Sequence, residues 1–339
     1  MRILLILALA GAFTLSACKQ DARKASHDAT ISGLELITQD NPELEYENLR
    51  LYPIIADASY IRENAGAAQY INLGDAIANH RFRITEKKPF GRFEDQGAVN
   101  TLTIQNKSEE MVFLMAGDVV QGGKQDRVIA QDLVVPPRTI TDIAVFCVEP
   151  HRWQARDEEG LAPADAPRQT EKNKGTYAFT GYYNVAGNDI RRSITQSKSQ
   201  QEIWDQVGEV TSIHNAQTPT GTYTALEQST SFTEARTRYL RFFEDKFSQN
   251  QNVAGIVAVT GDKVIGTDIF AHPALFQKQY KALIYSYITD AITSGEPVRM
   301  QESEVKQYGE KVWKKFQAEE GFESCRYEFQ GLMVHFVDL

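Results

Sequence analysis

The stretch from Val128 to Val148 constrains the fold most. Two apolar, β-branched runs, Val128 to Val135 and Ile140 to Val148, flank Pro136-Pro137-Arg138-Thr139. Proline has no N–H to give a ladder, so the Pro-Pro pair marks a turn between two strands of one long hairpin. If Val135 faces Ile140, then Asp126 faces Glu149 and Val128 faces Cys147. A slip of one residue puts Gln125 or Arg127 opposite Glu149 and turns each side chain to the other face. Cross-strand neighbours lie about 5 Å apart. In every register the polar run Lys124-Gln125-Asp126-Arg127 therefore lands near Glu149 and Arg152.

The segments before this hairpin read as strands. Leu49 to Ile55 is one, with Pro53 suggesting a sheet edge. Asn72 to His80 reads as a short helix. Phe82 to Glu86 and Val99 to Gln105 alternate, and Met111 to Ala116 leads into GDVVQGGKQDR. Short strands with regular turn signals predict an antiparallel β-rich core over residues 34–157, sandwich or barrel-like. Residues 158–187 are rich in Gly, Pro, Ala and polar groups and read as a long loop, a candidate lid.

Residues 188–339 read as helix-rich. Ile203, Trp204, Val207 and Val210 form one apolar stripe. Ser231 and Glu234 have capping-box spacing and open a helix through Phe247. Ile256–Val259 and Val264–Ile269 flank Gly261-Asp262 as a small hairpin. Pro273 suits the first turn of a helix bearing Phe276, Tyr280, Leu283, Ile284 and Tyr287. A last helix carries Val305, Tyr308, Val312 and Phe316, and Tyr327 to Val337 offers closing strands. The class is α+β, with residues 34–339 as one domain.

The start of the chain carries an address. Met1-Arg2 is basic, Ile3 to Leu15 is an apolar run of signal-peptide length, and Leu15-Ser16-Ala17-Cys18 fits a bacterial lipobox. The reading is a signal peptide over residues 1–17, lipidation of Cys18, and a polar tether over 18–33. It implies a membrane anchor facing the periplasm in the cell envelope; Lys19 after the cysteine favours the outer membrane if the cell is Gram-negative. A net charge of −9 without a basic stripe excludes a general nucleic-acid binder. The six histidines have no metal-ligand spacing, and no cofactor motif is legible, so we expect neither metal nor cofactor. Cys147 reads as a buried thiol, with a disulfide to Cys325 as the alternative.

GDVVQGGKQDRV followed by FCVEPHRW resembles the domain family named for its association with ADP-ribosylglycohydrolase and rhodanese-phosphatase proteins. That family shows G-E-E-L-x-G-A-K-Q-N-R and then V-S-C-V-E-x-x-R-W. Matching positions are Gly117, Gly122, Lys124, Gln125, Arg127, Cys147, Val148, Glu149, Arg152 and Trp153, while Asp118 and Asp126 depart from it. YENLRLYPI, YINLGDAI and QQEIWDQV extend the likeness over roughly Tyr46 to Ala291. The resemblance implies a link to ADP-ribose or nucleotide metabolism.

Two readings of the clustered residues follow. In one, Lys124, Arg127 and Arg152 hold an anion, Gly122 and Gly123 admit it to the backbone, and Gln125 lines the pocket. Glu149 then serves as acid/base or ribose ligand, and Trp153 stacks on a base. In the other, Glu149 pairs with Arg127 or Lys124 in a buried network that sets the hairpin register. The protein is then a structural or assembly lipoprotein that binds an envelope partner.

Overall fold

A computed structural model describes residues 30–31, 33–87, 100–152, 178–318 and 325–339. In chain order the first elements are β1 (Thr30–Ile31), β2 (Leu34–Leu36), β3 (Glu45–Tyr46), β4 (Leu49–Ala56), α1 (Ala58–Glu63), β5 (Ile71–Asn72), α2 (Leu73–Ala78), β6 (Phe82–Glu86) and β7 (Thr101–Asn106). Next come β8 (Val112–Leu114), β9 (Asp118–Gly122), β10 (Arg127–Ile129), β11 (Leu133–Val135), β12 (Thr139–Cys147) and β13 (Ala178–Val185). The C-terminal part adds α3 (Asn188–Arg192), α4 (Gln200–Ile213), α5 (Thr230–Phe243), β14 (Val253–Thr260), β15 (Lys263–Phe270), α6 (Pro273–Thr293), α7 (Glu302–Gln317), β16 (Arg326–Phe329) and β17 (Leu332–Asp338).

Among the described residues the strands form three sheets. A closed barrel runs β10-β12-β7-β6-β13-β9, an eight-stranded sheet runs β1-β2-β4-β14-β15-β17-β16 with β3 on β4, and a small sheet runs β11-β8-β5. The α+β class and the barrel-like core are as expected. The helices fall mainly in the C-terminal half.

The long hairpin is split. Its lower half pairs in the barrel with Arg127 opposite Cys147 and Val128 opposite Phe146, one residue off the first register considered. Its upper half leaves: β11 pairs with β8, Leu133 opposite Leu114. Asp132 sits at the fork. Its Oδ1 accepts the Ala116 N–H at 2.7 Å and its Oδ2 lies 2.6 Å from His335 Nδ1, which draws the chain away from β12.

Other expectations are corrected. Pro53 does not mark an edge, since β4 lies between β2 and β14. Its carbonyl accepts the Ile37 N–H just beyond the end of β2. The missing proline N–H faces the same side, so the return bond to Ile37 cannot form, and the ladder with β2 stops there. The Gly261-Asp262 hairpin is no small appendage. Strands β14 and β15 form the middle of the eight-stranded sheet, and β14 is buried along nearly its whole length, as a strand covered on both faces must be. Residues Ala178–Val185, expected in the long loop, complete the barrel between β6 and β9. Helix α5 is capped by Ser229, whose Oγ accepts the Phe232 N–H, and not by Ser231. It ends at Phe243, although Phe247 is still buried. The rest of the proposed lid, residues 158–177, lies outside the described residues.

Packing ties the units together. One face of the large sheet, with Leu49, Leu51, Ile256, Ala258 and Phe270, packs on α5 and α6. The other face, with Tyr52, Ile54, Val257 and Phe336, packs on Val305, Val312 and Trp313 of α7. The barrel is filled by Ile84, Leu102, Ile104, Val120, Ile129, Val145 and Phe179. Outside it, Val119, Val128 and Val148 meet Ile203 and Val207 of α4.

Candidate functional site

The glycine-rich knot is the turn from β9 into β10. Gly122 has φ +135°, and a Cβ there would lie 2.6 Å from the Ala178 carbonyl oxygen of β13. The glycines thus serve close strand approach, the role of a bulge. Gly122→Ala is expected to cost about 2–3 kcal/mol from backbone strain and the collision with β13. Urea unfolding checks it.

Three elements converge on this turn. Gln125 stands opposite Glu149, and its Nε2 donates to the Glu149 carbonyl at 2.8 Å. The Asp126 N–H donates to Glu149 Oε2 at 2.9 Å, and Arg152 Nη2 lies 2.6 Å from that same oxygen. Arg152 also donates to the carbonyls of Gly123 at 2.9 Å and Gly122 at 3.2 Å. Asp126 accepts from Thr222 Oγ1 at 2.9 Å and Thr224 Oγ1 at 3.1 Å. The Gln200 side chain clamps both backbone groups of Cys147 at 2.8 Å, a two-point bridge from α4 to the end of β12.

Arg127 points into the barrel. Ile129, two residues on, belongs to the barrel interior, while Val128 belongs to the layer outside, and strand side chains alternate. Its Nη1 donates to Gln125 Oε1 at 2.7 Å, and its Nη2 stands 3.8 Å from Glu86 Oε1. Glu86 in turn accepts the Lys124 N–H at 2.9 Å. Among the described residues Arg127 Nε and Nη2 find no hydrogen-bond acceptor.

The proposed site residues among those described are thus brought together; Gln125, Arg127 and Glu149 are sealed, and Lys124 and Arg152 are partly buried. Glu149 is 1% exposed, Arg127 and Asp126 0%, and Gln125 4%. Arg127 stands near Glu86, and Arg152 meets Asp126 and Glu149, so both arginines of the cluster face carboxylates. Trp153 lies outside the described residues. Asp118 and His151 are not part of a metal-ligating group; among the described residues no such group of His, Cys, Asp and Glu forms. Cys147 is buried, which pushes its thiol pKa up, and it is not bonded to Cys325.

A second buried network escaped the sequence reading. Asp268 in β15 accepts from Arg191 Nη2 at 2.5 Å, from Arg191 Nη1 at 3.2 Å and from the Tyr287 hydroxyl, and lies 3.0 Å from His335 Nε2. The other ring nitrogen of His335 reaches Asp132 beside the barrel. Burial raises the Asp268 pKa, but Arg191 and His335 outweigh it and hold the carboxyl well below its usual range. Burial works against a charged His335, yet Asp132 and Asp268 raise it to about 9. Nearby, burial pushes Asp118 up to about 7, against the Met115 N–H and the Tyr182 hydroxyl that bind it. One signal was available: a carboxylate inside the apolar run Val264–Phe270 needs a buried partner. Its partners lie 19 to 77 residues away.

No membrane-crossing helix occurs among the described residues, and residues 1–29, on which the signal-peptide and lipobox expectation falls, lie outside them. No curated protein and no solved structure matches the chain. A family model, the ARG and Rhodanese-Phosphatase-superfamily-associated Protein domain, matches residues 39–330. That span takes in the barrel, the turn from β9 into β10 and helices α1 to α7, so the chain belongs to the ARG and Rhodanese-Phosphatase-superfamily-associated Protein domain family.

Proposed function

We propose that this is a lipid-anchored cell-envelope protein that works by binding an envelope partner, with its motif cluster a structural tie and not a reaction centre. The observation that carries this reading is the state of Glu149. Its carboxylate is 1% exposed and is engaged by Arg152 and the Asp126 N–H. A general acid/base must reach a substrate proton within hydrogen-bond distance, and this carboxylate faces its own chain. Anchoring through Cys18 rests on the lipobox. Cys18→Ala is expected to abolish labelling by radioactive palmitate and to move the protein from the membrane to the soluble fraction. Retention of label in that variant would remove the anchor from the reading.

One observation favours a second reading, a pocket for an anionic or ADP-ribose-like ligand. Arg127 is fully buried, two of its nitrogens find no acceptor among the described residues, and an oxyanion satisfies guanidinium well. Calorimetric titration of the full chain with ADP-ribose and with inorganic diphosphate decides between the two. The structural reading expects no saturable heat. A saturable heat that Arg127→Met abolishes would replace it with the ligand-binding one.

A further inference from the structure

Arg127 lies at the closed end of the barrel and is 0% exposed. Its Nη1 donates to Gln125 Oε1 at 2.7 Å, while Nε and Nη2 find no acceptor among the described residues. Those two nitrogens share one edge of the guanidinium plane. Their N–H bonds run side by side, the fork that grips two oxygens of one anion. The buried arginines Arg191 and Arg236 differ. Each leaves only Nε without an acceptor among the described residues, and both its Nη nitrogens meet a carboxylate, Asp268 or Glu227. Glu86 stands near Arg127, but its Oε1 is 3.8 Å from Nη2, beyond hydrogen-bond range, and accepts the Lys124 N–H at 2.9 Å instead. Cys147, directly opposite on β12, carries a thiol whose pKa burial raises, so it supplies no counter-charge.

We propose that this end of the barrel binds a small monoanionic oxyanion of carboxylate geometry, its two oxygens on Arg127 Nε and Nη2. The fork selects two oxygens on one atom over a spherical halide. Burial selects size. Arg127 is fully enclosed, and beside it Gln125 is 4% and the Glu86 side chain 10% exposed, so a nucleotide or a sugar would have to open the barrel to reach the fork. Charge selects a monoanion, because a second negative charge would face Glu86. A desolvated guanidinium short of acceptors is costly, and an enclosed anion offsets that cost. On the structural-tie reading above, on which this rests, the anion completes the tie and is not turned over.

The test uses the full chain, dialysed free of small carboxylates and bicarbonate. Urea unfolding is followed as sodium formate, or sodium bicarbonate, replaces sodium chloride at one ionic strength and one pH. A ligand of so few atoms is expected to bind with a Kd on the order of millimolar, and the urea midpoint should rise with the logarithm of its concentration above that value. The resonance of 13C-labelled formate should broaden saturably in the presence of the chain. Arg127→Met should abolish both effects. Should that variant fail to fold, the comparison of formate with chloride on the unaltered chain still decides. No response to formate or bicarbonate beyond that to chloride, or a response that survives in Arg127→Met, overturns the proposal and leaves the structural tie standing. Saturable heat from ADP-ribose or diphosphate that Arg127→Met abolishes overturns the tie instead, whatever formate does. Bicarbonate acting at lower concentration than formate, an advantage that Glu86→Gln removes, assigns Glu86 as the acceptor of the ligand's O–H; otherwise the ligand is a plain carboxylate.

Discussion

Asp268→Ala is expected to cost ~3–5 kcal/mol, enough to leave the chain largely unfolded under ordinary conditions. The reason is the count of groups it would strand. Arg191 and His335 are 2% and 1% exposed, and both lean on this carboxylate. Without it two buried cations lose their counter-charge, and the Tyr287 hydroxyl loses its acceptor. Asn188 would still accept from Arg191 and Asp132 would still hold His335, so the loss falls short of removing the whole network. Urea unfolding of the variant measures it. A loss under about 1 kcal/mol would mean that water replaces the carboxylate and the network is not closed.

The same network gives stability a pH slope. His335 has a folded pKa of about 9 against an ordinary 6.5, so the folded state holds this proton more tightly. That contribution is complete below pH 6.5 and is lost as pH rises through 9. It amounts to about 3 kcal/mol by linkage. Asp118, raised to about 7 from 3.8, acts in the same sense at lower pH: its contribution is complete below 3.8 and gone above 7. Asp268, held low, contributes at every pH above its ordinary 3.8 and is lost only in strong acid. The urea midpoint should therefore fall between pH 6.5 and 9. In His335→Gln it should be lower at pH 6.5 and nearly level across that window.

Glu149→Gln is expected to cost about 2–3 kcal/mol. The amide oxygen can still accept the Asp126 N–H, but the ion pair to Arg152 is gone. Arg152 keeps the carbonyls of Gly122 and Gly123 and a weaker contact to Asp126 at 3.3 Å. A double-mutant cycle with Arg152→Met isolates the pair, and a coupling of about 1–3 kcal/mol is expected. A variant that kept full stability would count against a structural tie and return Glu149 to the list of ligand-contacting groups.

Much of this arrangement was legible before the coordinates. The Pro-Pro turn foretold that Lys124 to Arg127 return to Glu149 and Arg152, because a proline pair breaks a ladder wherever it occurs. Helix α6 begins at Pro273 as its sequence requires, with His272 accepting the Ala274 N–H as cap. Pro53 misled because proline excludes only a bond on its own side, and the sequence does not say where the neighbouring strand stops. The fork at Asp132 was invisible for the same reason: the partner that pulls β11 away, His335, is 203 residues distant.

The sequence by itself determined the elements, the meeting of the two motif halves and the family, since caps, turns and apolar periodicity act over a few residues. Only the tertiary structure decided the register, the closure of the barrel by Ala178–Val185, the burial of Glu149 and the ionic chain through Asp268. Those depend on which surfaces lose water, and desolvation is a property of the packed whole that no local pattern encodes.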